Sequence, residues 1–276
     1  MKRILLPFLS LLTALALPSC LQQATTIHLN KDGSGTLVEE TTFGAQMTAM
    51  LGNIGNLGGE AGAAKDPLKE LASPEKAKTR AAKLGEGVTV EKAEAIEVNG
   101  NKGARVTYHF DDINKLQFTA SGGLQDAMPE MPGAPAAAKP VEKPTTFKYA
   151  DGVLTLTNPE QKKPDAGDKK PEGDAPAEDE AQAAQMEAMM TQMLGDMKMS
   201  LKLVIEPGIA ESNATYVDGN TVTLMEMDMG KVLKTPGAMK KLKGVDQGDK
   251  DAAMAALKGV DGIKAETQTA ITVKVK

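Results

Sequence analysis

The sequence predicts an α+β protein: a mostly antiparallel sheet of hairpins with flanking helices, plus disordered insertions. Alternating apolar and polar residues recur on both sides of short glycine-containing turns, which is the pattern of β-hairpins. Between these hairpins, apolar residues recur at three- and four-residue spacing, as in amphipathic helices. Two other stretches, rich in proline, alanine or charge, have too little apolar surface to offset the entropy of ordering them. Hairpins with helices between them indicate the α+β class.

The first hairpin covers Thr25–Thr42, and its turn is Asn30–Gly35. Asp32-Gly33 and the second glycine supply the positive φ that such a turn needs. The alternation of Asn30, Asp32 and Ser34 is also found in calcium-binding loops. No bidentate carboxylate follows at the required spacing, so the turn interpretation is favoured.

Two helical regions follow. The glycine-rich stretch Phe43–Lys65 predicts one short helix over Ala45–Leu51 and then a loop, because each interior glycine costs about 1 kcal/mol against alanine. Asp66-Pro67 then opens a better helix, which Ser73-Pro74 can divide into two and which the glycines at 85 and 87 end. Its apolar face contains Leu68, Leu71, Ala77, Ala81 and Leu84.

Two further hairpins are predicted in the middle of the chain. The first lies within Val88–Phe118 and turns at an Asn-Gly-Asn-Lys-Gly sequence, with a turn or short helix at Asp111–Leu116. The second joins Thr145–Tyr149 to Val153–Thr157. It is expected to be an ordered island within an insertion over residues 125–180, whose remainder is predicted to be disordered.

The strongest helical pattern is Ala181–Met197. Its methionines form one stripe, which suits a core that has no tryptophan and few aromatic residues. The same stripe could instead be an adaptable groove for a lipid tail or a partner helix. A third alternative is Cu(I) binding by thioethers, with Met225, Met227 and Met229 as further candidates. The residues of this possible apolar groove are Met186, Met189, Met190, Met193 and Met197.

The end of the chain returns to strands. The predicted elements are a strand over Lys198–Glu206, a hairpin joining Asn213–Tyr216 to Thr221–Met227, short helices within Gly230–Lys243 and Asp249–Leu257, and a closing strand over Ala265–Val275. Residues 20–124 and 181–276 are thus two parts of one α+β domain. Because the insertion separates them, strands distant in sequence must close the sheet.

Residues 1–19 have the features of a bacterial lipoprotein signal peptide. Lys2-Arg3 precedes an apolar run too short to span a bilayer, and Leu17 and Ser19 stand three residues and one residue before Cys20. Cleavage before Cys20 would leave this residue as the lipid attachment point. We therefore expect a lipid-anchored, extracytoplasmic protein of the cell envelope. Leu21, which is not the aspartate that retains some lipoproteins at the inner membrane, favours the outer membrane if the host is Gram-negative.

Composition narrows the functional classes. The formal net charge is −5, and no basic block lies outside the signal, which argues against nucleic acid as a partner. The two histidines, His28 and His109, lie in predicted strands, and no serine has the surroundings of a catalytic nucleophile. The sequence therefore predicts a non-enzymatic binding or structural module without a cofactor or bound metal, whose partners are the membrane and a lipid, glycolipid or envelope protein. The alternative is an envelope enzyme with an unrecognised site.

Several of these residues resemble envelope lipoproteins of the LppM type. They are Cys20, the hairpin Ile27–Gly35, the strand Leu203–Gly208, Ser212-Asn213 and Gly219–Val222. The likeness covers the two ends of the mature chain and skips the insertion. It implies an extracytoplasmic α/β domain able to bind lipid head groups. We expect no counterpart of the C-terminal membrane helix found in some such proteins, and the resemblance assigns no binding residue.

Overall fold

The computed structural model describes residues 21–49, 52, 67–119, 144–158, 195–237 and 259–276. These residues form a mixed α+β fold rich in strands, as the sequence predicts. The strands are β1 Leu21–Leu29, β2 Gly35–Phe43, β3 Thr89–Val98, β4 Asn101–Phe110, β5 Gln117–Phe118, β6 Thr145–Ala150, β7 Val153–Thr157, β8 Lys198–Ile205, β9 Ile209–Ser212, β10 Val217–Asp218, β11 Thr221–Asp228, β12 Ile263–Ala265 and β13 Ala270–Val275. The helices are α1 Pro67–Leu71, α2 Pro74–Leu84 and α3 Met229–Lys234, with a 3-10 turn at Ile113–Lys115.

The strands make two sheets. The large sheet has the order β10-β11-β8-β1-β2-β4-β3, with β12 on β11, and the small sheet has the order β5-β6-β7-β13-β9. All these pairs are antiparallel except β1 with β8, which are parallel. The parallel pair joins the start of the described chain to its second half. This confirms the expectation that strands distant in sequence close the sheet.

One hydrophobic core is shared by both sheets and by α2. It includes Ile27 and Leu203 of the large sheet, Leu156 and Ile271 of the small sheet, and Leu84 of α2. Every second residue of β1 from Gln23 to Leu29 is buried, so one face of the large sheet points inward. The alternation predicted for the first two hairpins therefore has its cause in this core.

Local sequence signals place the helices as predicted. Ser73 caps α2, since its side chain accepts a hydrogen bond from the Lys76 amide at 3.3 Å. The chain thus divides between α1 and α2 at Ser73-Pro74. Gly85 ends α2 at a φ of +137° and packs so tightly that an added Cβ would meet the Lys115 carbonyl oxygen. In the first helical region, residues 45–49 are helical.

The third hairpin is not an island. Its strands β6 and β7 are central in the small sheet, where β7 pairs with β13. Phe147, Leu154 and Leu156 of this hairpin are buried in the shared core. The expectation of an isolated hairpin was wrong. The partner strand, β13, is so distant in sequence that local patterns could not indicate the pairing.

Two predictions for the end of the chain also need correction. The strand predicted over Ala265–Val275 is confirmed only over Ala270–Val275, which is β13; Ala265 is the last residue of β12, which lies in the other sheet. The chain turns between them, where the Glu266 carboxylate accepts a hydrogen bond from the Thr215 amide at 2.6 Å. The predicted strand Asn213–Tyr216 is absent; instead, β9 joins the small sheet and the two-residue β10 pairs with β11.

Several predictions fall on residues that the structure does not describe. They include most of Ala181–Met197, the stretches 125–143 and 159–180, and Asp249–Leu257. The predicted C-terminal end of the Met-rich helix is wrong, since Gly195 and Asp196 form a turn and Met197 leads into β8. Within the described ranges, none of the helices combines the length and apolarity needed to cross a bilayer.

Candidate functional site

An apolar cleft lies between the two sheets. Its main cavity has a volume of about 150 Å³, and a narrow extension of about 10 Å³ shares three lining residues with it, Phe118, Leu201 and Met225. A cavity of 150 Å³ with apolar walls can hold a benzene-sized group. We call this space the inter-sheet cleft; the residues used in the arguments below are Gln23, Thr25, Ile27, Phe118, Leu201 and Met225.

Strand β1 gives the cleft a polar end and an apolar end. On its inward face, Gln23 stands between Thr41 and Met199 of the neighbouring strands, and Thr25 stands between Glu39 and Leu201. The next inward residue is Ile27, which is fully buried. Polarity therefore falls along one row of side chains, in the direction away from the start of β1.

Gln23 carries a buried polar atom without a partner. The residue is only 5% exposed, and its Oε1 atom accepts no hydrogen bond. Two other buried side-chain oxygens of the described residues share this property, Thr42 Oγ1 and Asn101 Oδ1. Thr42 pairs with Gln22 and therefore lies on the face of the sheet opposite to Gln23, away from the cleft, and Asn101 begins β4, which β2 separates from β1.

An unsatisfied buried polar group costs about 1–3 kcal/mol, so the Gln23 oxygen, which lines the cleft near the start of β1, is a place where a ligand donor would be stabilised. This end is also where Cys20 directly precedes β1 in the sequence.

A buried ion pair lies one strand away from Thr25. The Arg80 guanidinium of α2 donates to Glu39 of β2, with Nη2 to Oε1 at 2.7 Å and Nε to Oε1 at 3.2 Å. Arg80 is 6% exposed and Glu39 is 9% exposed. Such a pair adds little to stability in itself, but removing one partner leaves an uncompensated charge in the interior. The two charges therefore hold α2 against the sheet as a neutral unit.

The rim of the cleft is polar and internally bonded. The Thr145 hydroxyl donates to Asn158 Oδ1 at 3.0 Å, and Glu266 accepts from the Thr215 hydroxyl at 2.9 Å. These groups fix the ends of β6 and β7 and the turn before β13. They form a rigid polar border around an apolar space, which is a common arrangement in ligand sites.

The two histidines lie on the surface, away from the cleft. His28 Nδ1 is 2.8 Å from Glu206 Oε1, and His109 Nε2 is 3.1 Å from Asp111 Oδ1. Each ring is thus paired with a carboxylate and not with a serine hydroxyl that it could activate. In the described part of the chain, no cluster of three histidine, cysteine or carboxylate side chains is arranged to hold a metal ion.

The Asn30–Gly35 segment is a tight turn, the interpretation that the sequence favoured over a calcium-binding loop. Ser34 donates to Asp32 Oδ1 from its hydroxyl at 2.7 Å and from its amide at 3.0 Å. These hydrogen bonds hold the pKa of the Asp32 carboxyl below its ordinary value. The carboxylate is thus used within the turn itself.

Most of the predicted site residues lie outside the described residues. This holds for Cys20 and for Met186, Met189, Met190 and Met193. Met197 is described and packs, with Met227, against a second apolar cluster of Met229, Val232 and Val260. Met225 instead lines the inter-sheet cleft, as does Met199.

The described members of the methionine set considered for Cu(I) are therefore divided between two environments. Sequence reasoning missed Gln23 and Thr25, although extending the alternation of β1 backwards from Ile27 would have placed both on the inward face.

Comparisons with known proteins add little. No family model matches the chain, and no curated protein matches it. Among solved structures, the NMR structure of the folded domain of LppM from Mycobacterium tuberculosis resembles the chain with a TM-score of 0.32 and 8% sequence identity. The match covers 77% of this chain and 85% of the LppM domain. At this TM-score the structural resemblance to that domain is weak.

Proposed function

We propose that this protein is a lipid-anchored, non-enzymatic module of the cell envelope that binds an acyl chain in the inter-sheet cleft. The observation that carries the proposal is the apolar cleft whose polar end, at Gln23, begins three residues after Cys20. The unpartnered amide oxygen supports the proposal, because a ligand that reaches this end would supply the missing hydrogen-bond partner. The flexible side chains of Met199 and Met225 line the cleft and can adapt to acyl chains of different shape.

The anchor and the cleft lie close together. A strand rises about 3.3 Å per residue, so three residues span roughly 10 Å. Because β1 begins at Leu21, directly after Cys20, no spacer separates the lipid anchor from the folded domain. The polar end of the cleft is then held near the membrane surface, where acyl chains are concentrated.

The size of the cleft explains why this proximity matters. At about 30 Å³ per group, roughly the volume of a water molecule in the liquid, 150 Å³ accommodates about five methylene groups. Their burial is worth about 4 kcal/mol at 0.8 kcal/mol per group, which corresponds to a Kd of about 1 mM. Binding of this strength needs a high local ligand concentration, and an anchored domain has one.

The anchor is tested first. In cells fed a clickable fatty acid, the wild-type chain is expected to carry the label, and Cys20→Ala is expected to lose nearly all of it. The measurement is in-gel fluorescence after coupling, normalised to the amount of chain. Label that persists in Cys20→Ala would show that the lipid is attached elsewhere and would remove the argument from proximity.

The cleft is tested by filling it. Met225→Trp is expected to reduce photo-crosslinking of a diazirine fatty acid to the cleft peptides at least tenfold, because the indole occupies the space. Mass spectrometry of irradiated cells locates the adducts. The matched control is Glu226→Trp, which adds the same ring at the next position of the strand, where the wild-type Glu226 side chain is exposed and contacts Lys264.

Thermal stability separates a filled cleft from a damaged fold. A variant that fills a cavity without strain should melt at or above the wild-type temperature. Leu224→Phe adds less side-chain volume to the same cavity, and it serves as a second test if the tryptophan is too large to fit. Unchanged crosslinking in a folded Met225→Trp chain would contradict acyl-chain binding in the cleft.

A further inference from the structure

We propose that the inter-sheet cleft selects an uncharged amphiphile whose head group offers a hydroxyl donor, as an acylglycerol does. This inference rests on the proposed function and names the ligand class of the same site. It follows from the polar end of the cleft and not from its apolar walls. Two features of its polar groups carry it: the unpartnered Gln23 oxygen, and a lining whose charged side chain is a carboxylate, Glu266.

The unpartnered atom of Gln23 is an acceptor. Its Oε1 is buried and without a partner, and Gln23 lines the narrow extension beside Thr25. A hydroxyl hydrogen placed there would convert an unsatisfied acceptor into a hydrogen-bonded one. A lipid head group without a hydrogen-bond donor, such as a methyl ester, would leave the Gln23 Oε1 atom without a partner. The difference between the two head groups is therefore one buried hydrogen bond.

The charges near this end disfavour an ionised head group. Among the buried residues of the described chain, the charged ones are Glu39 and Arg80, and their charges cancel. The guanidinium is already engaged by Glu39 through two nitrogens. The charged side chain among the residues that line the cleft is the Glu266 carboxylate, so an incoming carboxylate would lose its hydration and meet a like charge, with no lining cation to pair with. A neutral hydroxyl has neither cost.

The test compares three lipids that share one diazirine-bearing acyl chain: the monoacylglycerol, the methyl ester and the fatty acid held ionised at high pH. The full lipidated chain is placed in phosphatidylcholine vesicles with a trace of each lipid and irradiated. In wild type, cleft peptides are expected to take up the monoacylglycerol five- to tenfold more than either other lipid, since a net hydrogen bond is worth about 1 kcal/mol.

The decisive variant is Gln23→Leu, which keeps the size of the side chain and removes the acceptor. It is expected to abolish the preference for the monoacylglycerol over the methyl ester. It is also expected to melt at or above the wild-type temperature, because it removes an unsatisfied buried group. The matched control is Gln22→Leu, the same change at the neighbouring position, whose side chain alternates to the opposite face of β1.

Each outcome decides something. No labelling of the cleft by any of the three lipids would overturn the proposed function together with this inference. Equal labelling by all three, or stronger labelling by the ionised acid, would overturn the inference and leave acyl-chain binding intact. A preference that survives in Gln23→Leu would show that the hydroxyl is recognised elsewhere and would also overturn it.

Discussion

Arg80→Met is expected to lower the free energy of unfolding by about 3–5 kcal/mol, because it leaves the Glu39 carboxylate buried without its cation. This is a large share of the stability of an ordinary domain, which is about 5–15 kcal/mol. The methionine keeps most of the side-chain volume, so the lost stability reflects the unpaired charge of Glu39 and not a cavity. Chemical denaturation followed by far-UV circular dichroism measures the change.

The pair offers its own internal control. Arg80→Met combined with Glu39→Leu removes both charges and is expected to recover most of the lost stability, since apolar replacements of buried ion pairs are often neutral or stabilising. Arg105→Met is the surface counterpart. Arg105 pairs with Glu40 on the same strand as Glu39, but the two side chains are 39% and 35% exposed. Its removal should cost about 0–1 kcal/mol. Equal losses for Arg80→Met and Arg105→Met would contradict the assignment of Glu39 and Arg80 to the interior.

Leu156→Asp is expected to unfold both sheets and not only the hairpin that contains it. Leu156 is 1% exposed, pairs with Ile271 of β13 and with Phe147 of β6, and belongs to the shared core. A charge at this position loses its hydration without a partner and should cost several kcal/mol, comparable with the total stability. Hydrogen exchange of the β1 and β8 amides, which lie in the other sheet, measures whether the effect spreads.

Thr155→Asp is the matched control. It places the same charge on the same strand at a position whose side chain faces away from the core, and its cost should stay below about 1 kcal/mol. If Leu156→Asp left the exchange protection of β1 and β8 unchanged, the hairpin would be an ordered island after all. The alternation along β7 would then reflect a local cluster and not the shared core.

The candidate site was only partly accessible to sequence reasoning. The methionine stripe drew attention because it is compositionally unusual, yet Met197 packs in a second cluster, while Met225 lines the cleft. The sequence does not single out Gln23, because one glutamine at the start of a strand carries no pattern of its own. Its burial and its unpartnered oxygen are properties of the folded chain.

The sequence by itself determined the local elements. Asp-Gly and Asn-Gly turns define hairpins because few residues adopt positive φ, and Ser73-Pro74 defines a helix start because its side chain and ring satisfy the first turn. These signals act within a few residues, so they can be read without the fold. The N-terminal pattern that ends at Cys20 is local in the same sense.

Only the tertiary structure decided how these elements combine. Two pairings join residues far apart in the chain: β1 is parallel to β8, and β7 pairs with β13 in the small sheet. Conversely, β12 and β13 are adjacent in sequence but lie in different sheets. Many pairings satisfy the same alternation of apolar residues, and the choice among them depends on the packing of one shared core. That packing also buried Gln23 beside Thr25 and Met199, which is why the cleft could not be predicted from the sequence.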